Sequence, residues 1–176
     1  MHPRLLTAVV VAAVLLSPGA AAATPAPGPP PARSALWRAP LTGDLRVSRP
    51  FDPPATGYGP GHRGVDLASA PGQPVLAAGA GIVLFAGMVA GRPVVSILHA
   101  DGLRTTYEPV LSSVRAGQAV ARGSPIGRLL AGHAGCPAAA CLHWGLIRGD
   151  TYLDPVLLLR PPQVRLLPLP LFVASD

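Results

Sequence analysis

Lysine and asparagine are absent from this chain of 176 residues, and all 14 of its basic side chains are arginine. So one-sided a choice reflects genomic base composition more than a binding surface. The formal net charge of +6 therefore carries little functional weight. Charged residues make up only 12% of the chain, too few for a solvated charged tail or a nucleic-acid arm. Aromatics stand at 5% and the arginines are scattered, which argues against nucleic-acid recognition. With two cysteines, the chain is no disulfide-rich miniature scaffold. No apolar run approaches the roughly 20 residues that a membrane-spanning helix needs.

What the chain does have is proline (23) and glycine (20), in different places. Proline crowds the ends and glycine the middle. Residues 1–23 read as a secretory signal: Arg4 gives the positive start, Leu5 to Leu16 the apolar stretch, and Ala21-Ala22-Ala23 the small residues for cleavage. Residues 24–35 read as a Pro-rich linker of extended, polyproline character. Residues 161–176 form a second Pro-rich segment, in which Pro161, Pro162, Pro168 and Pro170 rule out a regular helix. The folded part is expected over 36–160, long enough for one core. Export would put it outside the cytoplasm, with no membrane span once the signal is removed, and as a monomer.

Between these ends the pattern is all-β. Short runs of Val, Ile and Leu alternate with Gly and Pro signals, and no window keeps a period of 3.6 for three turns. Strands are predicted near Leu45–Arg49, Pro74–Ala77, Gly81–Val89, Val94–His99, Leu103–Val110, Ile126–Leu130 and Cys141–Arg148. Asp101-Gly102 marks a tight hairpin turn. Gly117 to Gly127 looks like a second hairpin-like unit.

Four groups of residues carry potential chemistry. His62 and Asp66, four apart on a loop and strand start, can reach one metal, since zinc accepts imidazole and carboxylate donors. Each also has a bland reading, as a solvated loop histidine and a turn aspartate. On a strand Cys141 and His143 share a face, with Leu142 and Trp144 on the other; His143 is then a metal ligand or a core histidine. Cys136 and Cys141 are expected to form a disulfide closing a short loop in an oxidising compartment, the rival being Cys141 as a zinc thiolate. His99 and Tyr107 in the hairpin can be structural.

The order of these motifs resembles the lysostaphin-type (LytM-like) zinc endopeptidases. Gly61-His62-Arg63-Gly64-Val65-Asp66-Leu67 is similar to the family's H-x-G-x-D segment. Pro74 to Val83, Val94 to Tyr107 and Gly117 to Gly127 resemble its later strand and turn motifs. Leu142-His143-Trp144 falls at its terminal H-x-H strand. The resemblance spans roughly Asp44 to Pro155. It implies a β-rich fold of antiparallel sheets, like a duplicated hybrid motif, with an open cleft. It further implies one zinc ion on His62, Asp66 and His143, and action on the peptide part of bacterial peptidoglycan. The chain departs from the family at both histidines that assist the metal. Cys141 stands at the first of H-x-H, and Pro109 stands at the histidine of Y-x-H. Glu108 and His133 are the nearby titratable substitutes. Two expectations follow: a weak zinc peptidase, or a non-catalytic wall-binding domain that regulates another cell-wall hydrolase.

Overall fold

The structure is a computed structural model that describes residues 36–56, 59–132 and 135–160. The segments read as signal, linker and C-terminal tail lie outside the described residues, as does His133. Among the described residues no helix is long and apolar enough to cross a membrane.

Eleven strands and one short 3₁₀ helix make up the described chain. In order they are β1 (Val47–Arg49), β2 (Gly64–Ser69), β3 (Pro74–Leu76), β4 (Gly81–Val89), β5 (Arg92–Leu98) and β6 (Leu103–Glu108). There follow β7 (Val110–Ser112), β8 (Ala119–Val120), β9 (Pro125–Leu129), β10 (Ala140–Arg148) and β11 (Thr151–Leu153), then the 3₁₀ turn Pro155–Leu158. The large sheet runs β1-β2-β10-β6-β5-β4-β8, with β11 also paired to β10; a small sheet runs β3-β9-β7. Every pairing is antiparallel.

The period of two decides what each strand buries. On β10, Ala140, Leu142, Trp144 and Leu146 enter the core. Val65 and Leu67 of β2, Leu103 and Tyr107 of β6, and Val95 and Ile97 of β5 join them. The small sheet contributes Val75, Val110, Ile126 and Leu129 to the same cluster. The alternate residues Asp66, Cys141, His143, Thr106 and Glu108 therefore lie on the other face of the large sheet.

One buried polar chain crosses this apolar core. His99 Nδ1–H donates to the Ala80 carbonyl (2.8 Å), and its Nε2 accepts from the Thr105 hydroxyl (2.8 Å). Tyr107 O–H donates to Thr105 Oγ1 (2.8 Å), and the Tyr107 oxygen accepts from the Ala78 N–H (2.9 Å). Each group is thus satisfied with His99 neutral. Burial lowers the His99 pKa, against the Ala80 carbonyl and Asp101, and burial pushes the Tyr107 phenol up to about 12. Both residues have the structural role that the sequence allowed.

Three expectations need correction. Gly117 to Gly127 is no hairpin: β8 pairs with β4 in the large sheet, whereas β9 pairs with β3 and β7 in the small one. The predicted strand Leu103–Val110 breaks at Pro109, which cannot donate to a ladder; β6 and β7 fall in different sheets. Asp66 sits inside β2 and not at a strand start.

Candidate metal centre

His62 lies just ahead of β2, tied by a bridge to Asp52: His62 N–H donates to the Asp52 carbonyl at 2.6 Å, and Asp52 N–H returns the bond at 3.0 Å. The chain bends at Arg63 and enters β2 at Gly64; Gly64 and Asp66 then face one side of the strand, and His62 meets Asp66 across that bend, its Nε2 3.0 Å from Asp66 Oδ1. Directly opposite Asp66 in the β2–β10 register stands His143. The middle residue of the three must be small. A Cβ on Gly64 would lie 2.7 Å from His143 Nε2 and 2.5 Å from the Trp144 carbonyl oxygen. The glycine of the His62-to-Asp66 segment is the space that the His143 ring occupies.

The result is a triangle of donor atoms. His62 Nε2 is 3.0 Å from Asp66 Oδ1, His62 Nε2 is 3.0 Å from His143 Nδ1, and His143 Nδ1 is 2.9 Å from Asp66 Oδ1. His62 and Asp66 are buried and His143 nearly so. The Pro50 carbonyl takes the Nδ1–H of His62 at 2.7 Å, so neutral His62 offers Nε2 as an acceptor. That lone pair points at a carboxylate oxygen, which is also an acceptor. Two buried acceptors at such a distance repel unless a cation lies between them. A single proton can relieve one edge of the triangle; a metal ion relieves all three. Donors on tetrahedral zinc, each bonded at about 2.0–2.1 Å, stand roughly 3.4 Å apart. The observed edges are a few tenths of an ångström tighter, and the two-nitrogen, one-oxygen set suits zinc.

The triangle opens into a cleft of about 300 Å³. Arg49, Arg92, Glu108 and Pro109 line it along with His62 and His143. Glu108 is the cross-strand partner of His143 on β6, and its Oε2 is 3.6 Å from Arg92 Nε. Pro109 thus lies on the cleft wall. Cys141 does not line the cleft. It is fully buried and joined to Cys136 as a disulfide, with Cα atoms 5.7 Å apart, and its sulfur is 3.5 Å from Ser48 Oγ. The thiolate alternative for Cys141 is thereby removed. Sequence reasoning missed Arg49 and Arg92, which reach the cleft only through the β1–β2 pairing and the start of β5. No local spacing signals either.

The pattern of peptidase family M23 matches residues 60–155. An uncharacterized protein of Mycobacterium tuberculosis is 55% identical over 134 residues, covering 74% of this chain and 54% of its own length. The chain therefore spans about half the length of that relative. Among solved structures, a zinc-containing peptidase from Vibrio cholerae is similar at a TM-score of 0.59 and 25% identity, over 72% of this chain and 40% of that one. The antimicrobial peptidase lysostaphin from Staphylococcus simulans is similar at a TM-score of 0.56 and 26% identity, over 66% and 50% respectively. The matched segment runs from before His62 to beyond His143 and takes in the small sheet and every strand of the large sheet but β1, so the chain belongs to peptidase family M23.

Proposed function

We propose that this chain is an extracytoplasmic zinc peptidase-like domain that engages the peptide part of bacterial peptidoglycan, with little or no hydrolytic power of its own. The observation that carries the reading is the donor triangle of His62, Asp66 and His143, with edges of 2.9–3.0 Å beside an open cleft. The signal-like N-terminus and the Cys136–Cys141 disulfide support an oxidising, extracytoplasmic site of action.

In this reading His62, Asp66 and His143 hold the ion, and Pro50 fixes the His62 tautomer. Zinc supplies Lewis acidity and lowers the pKa of a coordinated water to about 7. The chain itself must then carry protons, above all to the leaving amine. Pro109 has no side-chain donor or acceptor, and Cys141 is closed in its disulfide. Outside the ligand set, Glu108 is the proton-carrying side chain among the described cleft residues, 3.6 Å from Arg92 Nε at the cleft wall. Each absent acid–base group costs about 10²–10⁴ in rate. A second reading follows from the same two positions: the domain binds wall peptides and regulates another hydrolase without cutting.

Metal analysis separates the parts. The purified protein should take up one zinc ion, and His62→Ala should take up next to none; equal zinc in that variant removes the assignment. Release of soluble peptide from purified cell walls by the zinc-loaded protein should be slow or undetectable. Release at ordinary enzyme rates would overturn the weak-hydrolysis reading.

A further inference from the structure

Cross-strand pairing sets a single row of functional side chains across the open face of the large sheet. Arg49 on β1 is opposite Asp66 on β2, Asp66 is opposite His143 on β10, and His143 is opposite Glu108 on β6. Arg92, at the start of β5, reaches Glu108 from beyond the end of that row. The candidate metal centre therefore has an arginine on each side, both among the residues that line the cleft.

Neither guanidinium is used up by the fold. The Arg49 side chain makes no hydrogen bond or ion pair among the described residues. Arg92 faces Glu108 through Nε only, at 3.6 Å, beyond a good charge-assisted hydrogen bond. Its side chain is 58% exposed. Such a loose surface pair does little for stability. Among the described residues the cleft sets one carboxylate outside the ligand set, Glu108, against two arginines, so a positive charge is left over. A divalent ion over Asp66 adds another. Arginine's planar fork matches a carboxylate at two points.

We propose that Arg49 and Arg92 form a clamp that reads a carboxylate on the bound peptide, either its free C-terminus or an acidic side chain. The clamp deepens the peptide-binding reading of the cleft and rests on it. It makes the ligand a carboxylate-bearing peptide and not any stretch of amide backbone. The anionic group is held beside the metal centre, and its attraction is screened by salt.

The test is a calorimetric titration of the zinc-loaded full chain with three N-acetylated tripeptides. One is Ala-Ala-Ala with a free C-terminus, one is its C-terminal amide, and one is Ala-Glu-Ala as the amide. At low salt at least one carboxylate peptide should bind about tenfold tighter than the neutral amide. Which one does so identifies the source of the carboxylate. Arg49→Ala with Arg92→Ala should reduce the advantage to less than about twofold at unchanged zinc content. Both side chains lie at the surface, so the variant is expected to fold. A neutral amide that binds as tightly as both acids, or an absence of binding by all three, overturns the proposal. So does an advantage that survives the double replacement, because the metal alone would then be reading the carboxylate. The zinc-free protein separates the two claims. An arginine-dependent advantage in a chain that takes up no zinc sinks the metal assignment and leaves the clamp standing. Stoichiometric zinc with no carboxylate advantage does the reverse.

Discussion

Replacing Gly64 by alanine tests the geometry of the metal centre without touching a ligand. The added Cβ would sit 2.5 Å from the Trp144 carbonyl oxygen and 2.7 Å from His143 Nε2. The first is backbone on β10, part of the β2–β10 ladder, and cannot swing away as a side chain end would. The overlap approaches 1 Å on two sides, so either the strands part or the His143 ring is pushed. Overpacking of this kind costs about 1–3 kcal/mol, and the backbone contact argues for the upper end. For a domain of this size that is a fall in Tm on the order of 10 °C. Zinc affinity should fall about tenfold or more, because the ring that moves carries one of three donors. Gly72→Ala is the control. Nothing lies within 4 Å of its Cβ, but its φ is +81°, so only backbone strain of about 1 kcal/mol is paid. Melting curves and competition with a chromophoric zinc chelator read both effects. A Gly64→Ala protein that melts with its parent refutes the packing argument. One that melts lower but holds zinc as tightly would show that the strands part while the His143 ring stays in place.

The remaining predictions concern the buried polar chain and the missing imidazoles. His99 is held neutral with its pKa below the ordinary 6.5, so the unfolded chain binds the extra proton first as pH drops. The contribution of His99 is complete above pH 6.5 and shrinks as the pH falls below it; urea midpoints between pH 7 and 5 should decline more steeply for the parent than for His99→Gln, and parallel curves would dismiss the idea. Restoring both imidazoles, by Pro109→His and Cys141→His made with Cys136→Ser, should raise release of wall peptide at least about 100-fold over the parent. A folded, zinc-loaded variant no faster than its parent would show that those two positions do not limit cleavage.

The fold was legible where the sequence signals are local. The β4 boundaries, Gly81–Val89, coincide with the prediction, because a continuous apolar run ends there at Ala90-Gly91, a two-residue turn with both φ positive. The β5–β6 hairpin was marked by Asp101-Gly102. Strand pairings distant in sequence were not legible. β2 meets β10 across more than 70 residues, and β3, β7 and β9 find one another through no adjacent turn. Their register is fixed by which face must be buried, a property of the whole core and not of a window. Gly117 to Gly127 misled for the same reason. Its Gly and Val spacing suits a hairpin, but Val120 follows the apolar face of β4, and Ile126 is needed between the small sheet and the core. The disulfide was legible because it closes a local loop.

The candidate site divides along the same line. His62 and Asp66 are four apart in the chain, so their meeting can be read from spacing, although the chain bends at Arg63 between them. The role of Gly64 between them becomes visible only when His143 arrives from β10, 77 residues after Asp66, and needs the vacant volume. Glu108 was readable as a titratable neighbour of Pro109, but not as the strand partner of His143. Arg49 and Arg92 were unreadable, since 14 arginines scattered through a lysine-free chain look like compositional background. Pairing of β1 with β2, and of β5 with β6, turns two of them into neighbours of the metal centre. The metal donors come from motifs, whereas the charges around them come from strand order. The donor triangle is thus set by the motifs, and Arg49, Glu108, Pro109 and Arg92 line the cleft beside it. That is why activity and specificity should respond to different substitutions: zinc content to His62 and Gly64, carboxylate preference to the two arginines, and cleavage rate to positions 109 and 141.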